Sequence, residues 1–336
     1  MTDAARNPEP AQKLKFYQKD TFAAGNRPAG ETDRTAQAAI GRTDTIACGH
    51  EASSGCGEAL AARHVVRAAM QATNGNLIVV NATGDLEEFS APYAESAWQA
   101  AWVHSLFGNA AAVASGVAAA IMRIKGRSEM RVLAQVGDDG VTDIGWLSAA
   151  FERNDDVLIV GYDSEGHANG CVQRSSAPQP AASETVGEEA GNLFDAGRSV
   201  CRIAIARGIP YVATASVADL RDLERKVTKA MSLHGARYLH VHAPCPLGWG
   251  AASRDTIRLA RLAVESGTFP LFAAEHGAIT GSRKIRHRVP VGEYLKPQKR
   301  YAHLFKMDNQ PDIVRLQEMA DRNIAEFDLL SSEENS

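Results

Sequence analysis

The sequence predicts an α/β protein built on a mostly parallel, doubly wound sheet with helices on both faces. Short apolar strands alternate with helical segments along the chain. The strands are apolar on both of their faces, as expected when helices cover a sheet from two sides. Polar, glycine-rich segments follow three of the strands. Because ligands bind beyond the carboxyl ends of parallel strands, a functional site is predicted in these three segments.

The predicted elements begin after a glycine-rich turn at residues 48–58. A helix and a strand come first, in ALAARHVVRAAMQA and LIVVNAT. An alanine-rich helix is predicted over Ser96 to Met122, before the strand RVLAQV. Three further helix–strand pairs are predicted in IGWLSAAFERN and DVLIVGYD, in GRSVCRIAIARG and YVATAS, and in DLRDLERKVTKAMSLHG and RYLHVHA. This alternation is typical of a parallel sheet whose connections are helices.

The chain divides into three predicted parts. Residues 1–45 are rich in Pro, Gly and charge without a sustained period, which predicts an extended arm. Whether this arm is a disordered tail or wraps another subunit stays open. Residues 46–290 form the α/β domain, and residues 291–336 are assigned to docking or capping.

Composition excludes several classes of function. The 336 residues include 36 basic and 40 acidic ones, so no basic excess is present to bind nucleic acid. Five cysteines are too few for a disulfide scaffold, and the N-terminus has no apolar run of signal-peptide length, which predicts a cytoplasmic protein. Residues 96–122 lack charge, but alanine and polar side chains insert poorly into a bilayer, so no membrane span is expected.

Two polar turns carry groups that suit a metal–diphosphate site. The turns GDDG at residues 137–140 and DSEGHANG at residues 163–170 each follow an apolar strand. Asp138 and Ser164 offer the hard oxygen ligands that Mg²⁺ prefers, and the glycines let the backbone approach an anion. Turns of this kind are also ordinary connections in α/β proteins, so the spacing alone leaves both interpretations open.

Residues 137–177 resemble the thiamine-diphosphate signature of the β subunits of 2-oxoacid:ferredoxin oxidoreductases, the pyruvate and 2-ketoisovalerate synthase family. That signature reads GDG-x-x-x-DIG and, after a strand, D-[NT]-E-x-x-x-N-T-G-x-QRS. Further segments resemble the family in the same order: GHEASSGCGEALAAR, NATGDLEEFSAPYAESAW, HAPCPLGWG and VGEYLKPQKRYAHL. The resemblance covers residues 46–306 and implies the thiamine-diphosphate-binding fold.

The resemblance implies a site for Mg²⁺ and thiamine diphosphate. Asp138 is the implied Mg²⁺ ligand, Ser164 takes an Asn/Thr ligand position, Gly166 offers its carbonyl and Asn169 lies beside the diphosphate. Other positions of the same motifs are implied to contact the cofactor or shape its turns: Cys56, Gly57, Gly137, Asp139, Gly140, Asp143 and Gly145. Asp139 departs from the family, which has glycine there, and its carboxylate would repel a diphosphate unless it points away or pairs with a cation.

The resemblance also implies a [4Fe–4S] cluster, which usually needs four thiolates. The matching positions are Ser53, Cys56, Asp85 and Cys245, so two thiols remain. Either the cluster is kept, with Cys48, Cys56, Cys245 and Asp85 as ligands, or it is lost and the loops keep their shape. A carboxylate is a poorer ligand than a thiolate for such a cluster.

The implied reaction is oxidative decarboxylation of a 2-oxoacid, with the acyl group passed to coenzyme A and the electrons to iron–sulfur or flavin partners. His50 and His167, in the cofactor loops, are the candidates for proton transfer. The implied partners are α, γ and ferredoxin-like δ subunits, with a flavoprotein subunit as a further candidate. Two alternatives stay open: a non-redox decarboxylase or carboligase subunit, and an inactive scaffold in which Asp139 blocks the cofactor.

Overall fold

A computed structural model describes residues 45–47, 50–91, 96–124, 129–138, 144–165, 167–168, 172–173, 199–305 and 310–330. The strands are β1 (Leu77–Ala82), β2 (Ala101–Ser105), β3 (Arg131–Val136), β4 (Val157–Asp163), β5 (His167–Ala168), β6 (Val172–Gln173), β7 (Tyr211–Ser216), β8 (Arg237–His242), β9 (Phe272–Glu275) and β10 (Ala278–Ser282).

The α-helices are α1 (Gly57–Ala72), α2 (Asp85–Ser90), α3 (Ala110–Arg123), α4 (Ile144–Arg153), α5 (Val200–Ala206), α6 (Leu220–Met231), α7 (Pro246–Trp249), α8 (Thr256–Glu265), α9 (Val291–Leu295) and α10 (Gln310–Glu326). Short 3₁₀-helices cover Phe107–Asn109, Ser253–Asp255 and Lys299–Phe305. In the described part of the chain, none of the helices is both long and apolar enough to cross a membrane.

Eight strands form one sheet in the order β10-β9-β7-β8-β4-β3-β1-β2. The six strands from β7 to β2 pair in parallel. Strands β9 and β10 add an antiparallel edge, and β5 pairs with β6 in a separate hairpin. The prediction of a mostly parallel sheet is confirmed.

Helices cover both faces of this sheet. Helices α1 and α6 pack on one face, together with Leu133 of β3. Helices α3, α4 and α5 pack on the other face, against Val132 and Ala134 of the same strand. Neighbouring residues of a strand point to opposite faces, so the central residues of β3, 132–134, have to be apolar on both faces. The predicted doubly wound α/β fold is therefore confirmed.

The helix predicted over Ser96 to Met122 is wrong in its first half. Residues 101–105 form the edge strand β2, parallel to β1, and the helix begins only at Ala110. The aromatic and β-branched pair Trp102–Val103 suits a strand, and pairing with β1 supplies hydrogen bonds that a local pattern does not reveal. The alanines that suggested one long helix are helical from residue 110 onward.

The C-terminal residues pack against the end of the α/β domain. Tyr294, Leu295 and Tyr301 are fully buried in a cluster that also contains Trp249 and Leu259. This packing brings the segment from α9 to residue 305 next to the carboxyl end of β8. The boundaries predicted at residues 45 and 290 stay predictions. Residues 1–44 and 331–336 lie outside the described residues.

Candidate functional site

The candidate site lies where four neighbouring parallel strands end. Strands β8, β4, β3 and β1 are adjacent, so their carboxyl ends meet at the same edge of the sheet. Strand β2 lies on one side of β1 and β3 on the other, so the chain changes direction between β1 and β3. Ligands bind at such a change of direction in open α/β sheets. Four polar residues follow these strands: Asp85, Asp138, Ser164 and Cys245.

Asp138 and Ser164 are in direct contact. The Ser164 hydroxyl donates to Asp138 Oδ2 over 2.6 Å, and the Ser164 N–H donates to the same oxygen over 3.2 Å. Both residues are buried. Adjacent ligands of an octahedral Mg²⁺ are about 3.0 Å apart when each bond is about 2.1 Å. These two oxygens, 2.6 Å apart, are close enough to bind one Mg²⁺ after a small separation, although 25 residues of sequence lie between them.

A third carboxylate, Glu58, lies next to this pair. It is buried at the start of α1, and a Cβ atom placed on Gly137 would lie 3.6 Å from its Oε1. Burial raises the pKa of the Cys245 thiol, and the negative charges of Asp85, Glu58 and Asp138 raise it further, so all three carboxylates act on this thiol. A concentration of negative charge of this kind favours a bound cation.

The loops that carry Cys56 and Cys245 touch through their backbones. The Gly57 N–H donates to Pro244 O over 3.0 Å, and a Cβ on Gly57 would lie only 2.5 Å from that oxygen. Gly57 is therefore needed for the close approach of the two loops. Burial, assisted by Glu58, raises the pKa of Cys56 to about 12, and burial raises the pKa of Cys245 to about 11. Without a bound metal, both thiols therefore stay protonated at neutral pH.

The described residues do not fit a [4Fe–4S] cluster held by four thiolates. Cys56 and Cys245 are the described cysteines near the site, whereas Cys201 is buried in α5. Asp85 begins α2 and is close enough to act on both thiols. Among the described residues, no three His, Cys, Asp or Glu side chains are placed to hold a metal ion. Cys48 lies outside the described residues, so its proposed ligation stays a prediction.

Glu165, the residue after Ser164, carries a buried negative charge. Glu165 contacts Arg300, Tyr294 and His242, and its side chain is 2% exposed. Burial alone would raise the pKa of Glu165, but the Arg300 charge, with contributions from His242, lowers it to about 2. The carboxylate is therefore ionised at neutral pH.

Comparison with known proteins identifies the family. The C-terminal TPP-binding domain of thiamine pyrophosphate enzymes matches residues 79–241. Pyruvate synthase subunit PorB of Methanosarcina barkeri is 42% identical over 290 residues, which cover 84% of this chain and 97% of the relative. Ketoisovalerate oxidoreductase subunit VorB of Pyrococcus abyssi is 37% identical over 271 residues, with 77% and 86% covered. The chain belongs to this family of 2-oxoacid oxidoreductase subunits.

A solved structure shares the fold of these subunits. The 2-oxoglutarate:ferredoxin oxidoreductase of Magnetococcus marinus superposes with a TM-score of 0.52 at 21% identity, over 60% of this chain and 67% of that one. At this identity the likeness supports the fold alone. The resemblance stated from sequence motifs is confirmed by the relatives above.

The structure describes only some of the predicted site residues. Asp138, Ser164, Gly137, Cys56, Gly57 and Cys245 meet at the site, and Gly145 lies in the first turn of α4. The backbone of His167 lies in β5, paired with Gln173. The other predicted positions lie outside the described residues: Cys48, Asp139, Gly140, Asp143, Gly166 and Asn169.

His50 is placed beside α1 with a donor near each ring nitrogen. The Ala52 N–H donates to Nδ1 over 3.3 Å, and an Arg63 guanidinium nitrogen lies 3.1 Å from Nε2. These contacts fix the turn at residues 50–52, which is a structural role. The proposed part of His50 in proton transfer stays a prediction.

Sequence reasoning missed Glu58 and the group around Glu165. Both glutamates lie inside motifs that carried the resemblance, GHEASSGCGEALAAR and DSEGHANG, and both are buried. A glutamate is rarely buried without a partner, but its burial is not visible in a polar loop sequence. The only available signal was the segment VGEYLKPQKRYAHL, which contains Tyr294 and Arg300.

Proposed function

We propose that this chain is the β subunit that binds Mg²⁺ and thiamine diphosphate in a 2-oxoacid:acceptor oxidoreductase complex. The proposed reaction is the oxidative decarboxylation of a 2-oxoacid to an acyl-coenzyme A. The observation that carries the proposal is the contact of Asp138 with Ser164 at the carboxyl ends of β3 and β4, next to the change of direction between β1 and β3. The named functions of the PorB and VorB relatives support the reaction class.

Each described residue of the site has a physical part in this function. Asp138 and Ser164 would hold Mg²⁺ through a carboxylate and a hydroxyl oxygen. Gly137 leaves space between the strand end and Glu58. Bound thiamine diphosphate supplies the electron sink that allows loss of CO₂. The buried surroundings of Asp138 and Ser164 exclude water, which strengthens the electrostatic interactions of the site.

We further propose a cytoplasmic hetero-oligomer with α, γ and ferredoxin-like δ subunits and a flavoprotein subunit as a further partner. The relatives are named as subunits, which supports an assembly of several chains. The family resemblance implies that the carboxylate that activates thiamine comes from the α subunit, so the isolated chain is expected to bind the cofactor weakly and to lack activity.

A second candidate is a non-redox thiamine diphosphate decarboxylase or carboligase subunit. The observation that favours it is that the described part of the site contributes two thiols, Cys56 and Cys245, where a cluster usually needs four thiolates. The two candidates differ in whether an electron acceptor is reduced for each CO₂ released. Iron and acid-labile sulfide assigned to this chain would favour the first candidate.

The test uses the tagged chain purified together with its accompanying subunits. Binding of Mg²⁺ in the presence of thiamine diphosphate is measured by titration calorimetry for the wild type and for Asp138→Asn. We expect the variant to bind Mg²⁺ at least 10-fold more weakly, because a carboxylate ligand becomes a neutral amide. Asp155→Asn is the control, since Asp155 pairs with Arg153 at the opposite end of the sheet. Equal Mg²⁺ affinity in wild type and Asp138→Asn would contradict the proposed site.

A further inference from the structure

The residue after Ser164 has an unusual backbone conformation. Glu165 has φ of +52°, in the left-handed region that residues other than glycine adopt rarely. Such conformations persist where the surrounding structure holds them, and they occur often at functional sites. The Glu165 side chain is buried in the protein. Its contacts are therefore among those that can hold this conformation of the turn that carries Ser164.

Two residues of the C-terminal segment hold the Glu165 carboxylate. The Tyr294 hydroxyl lies 3.0 and 3.1 Å from its two oxygens, and the Arg300 guanidinium pairs with Oε2. On the other side, His242 Nε2 lies 3.4 Å from Oε1. Tyr294 and Arg300 are more than 120 residues further along the chain. Two side chains of the C-terminal segment thus hold the turn after β4 through the Glu165 carboxylate.

The backbone of the turn is also held, by Arg300 of this segment and by Trp249 of α7. Arg300 Nη1 donates to the Glu165 carbonyl over 3.1 Å. The Trp249 indole donates to the Ser164 carbonyl over 2.7 Å, and Arg300 stacks on that indole at 3.9 Å from the ring centroid. The Ser164 carbonyl, the Glu165 carbonyl and the Glu165 carboxylate are therefore each held by a hydrogen bond. In this arrangement the Ser164 hydroxyl donates to Asp138.

We propose that Arg300 and Tyr294 are positioning residues that keep the Ser164 hydroxyl in place for Mg²⁺ by holding Glu165. This rests on the Mg²⁺ and thiamine diphosphate site of the proposed function. Neither Arg300 nor Tyr294 would contact the metal; both would act on Mg²⁺ through the turn that carries Ser164. Residues that hold metal ligands act in this way in other proteins, and removing them lowers metal affinity by about 10–100-fold.

The test compares two hydroxyl deletions in the same segment of the purified complex. Tyr294→Phe removes the hydroxyl that contacts Glu165. Tyr301→Phe removes a buried hydroxyl that has no hydrogen-bond partner among the described residues, and it keeps the ring beside Arg300. Mg²⁺ affinity in the presence of thiamine diphosphate is measured by calorimetry, and the thermal midpoint is measured on the same samples. Arg300→Lys is the second variant, because it keeps the charge but loses the planar donors.

We expect Tyr294→Phe to weaken Mg²⁺ binding about 10-fold and Arg300→Lys to weaken it further, while Tyr301→Phe binds as the wild type does. A purely structural role would lower the thermal midpoint without changing the affinity of the folded protein. Wild-type affinity in both Tyr294→Phe and Arg300→Lys would overturn the inference alone. A wild-type complex that fails to bind Mg²⁺ with thiamine diphosphate would overturn the proposed function and this inference with it.

Discussion

At the scale of single residues, the site depends on the absence of one side chain as well as on the charges around it. Gly57 lets the Cys56 loop approach the backbone after β8, where a Cβ would lie 2.5 Å from Pro244 O and 2.8 Å from the Ala243 carbonyl carbon. Backbone atoms cannot move aside as a flexible side chain can. The loops of Cys56 and Cys245 therefore keep their spacing only with glycine at position 57.

We expect Gly57→Ala to lower the free energy of unfolding by about 1–3 kcal/mol, because it forces backbone apart in a packed region. Gly116→Ala is the matched control, since Gly116 is exposed in α3 and a Cβ there would meet nothing within 4 Å. This control is expected to stabilise the chain by about 0.5–1 kcal/mol. Urea unfolding of the two variants and the wild type checks both values. Equal stability of Gly57→Ala and wild type would contradict the close approach.

The sequence predicted part of the site at this scale. The meeting of Asp138 with Ser164 followed from their places after two strands that prove to be neighbours. The contacts of Glu165 did not follow, because Tyr294 and Arg300 reach it from a distant part of the chain. Local patterns carry no information on such pairings. Five predicted cofactor positions lie outside the described residues: Asp139, Gly140, Asp143, Gly166 and Asn169.

At the scale of elements, strands with apolar runs and helices with clear ends were predicted well. The strands β1, β3, β4, β7 and β8 all lie in the predicted segments. The edge strand β2 was missed because its pairing with β1 is a long-range contact. Helix α6, in contrast to β2, has a local signal for its start, because the residue before it is a capping aspartate. Asp219 caps it by accepting from the N–H groups of Arg221 and Asp222 over 3.1 and 3.0 Å.

We expect Asp219→Ala to lower the free energy of unfolding by about 1 kcal/mol, the usual effect of losing an N-cap. Asp219→Asn keeps a capping oxygen and loses the ion pair with Arg283, so its effect is expected to be smaller. Guanidinium unfolding monitored by circular dichroism distinguishes the two. An Asn variant as unstable as the Ala variant would assign the effect to the ion pair and not to the cap.

At the scale of the whole molecule, the core contains tyrosine hydroxyls whose pKa is raised by folding. Burial raises the pKa of Tyr162, Tyr238 and Tyr294 well above 10, and nearby acidic groups raise it further. In the unfolded chain these hydroxyls lose their protons above pH 10. The unfolded state then binds fewer protons than the folded state, so stability falls as the pH rises.

We expect these tyrosines to have no effect on the pH dependence of the free energy of unfolding below pH 10. Above pH 10 we expect them to lower the free energy of unfolding. Each such tyrosine contributes a slope of about 1.4 kcal/mol per pH unit once the unfolded form is ionised. Urea unfolding at pH 8 to 11 gives the slope of the free energy of unfolding against pH. Tyr162→Phe should reduce this slope by the contribution of one tyrosine. A wild-type slope that Tyr162→Phe leaves unchanged would show that Tyr162 ionises in the folded protein.

The fold, the acidic site and the family relationship lead to one function, a thiamine diphosphate subunit of a 2-oxoacid oxidoreductase. The most direct test is the ratio of electrons transferred to CO₂ released, measured with a viologen dye and a set of 2-oxoacids on the complex purified through this chain. We expect two electrons per CO₂, in a reaction that depends on Mg²⁺ and thiamine diphosphate and is lost in Asp138→Asn. Release of CO₂ without reduction of the dye would contradict it and would assign the chain to a non-redox decarboxylase or carboligase.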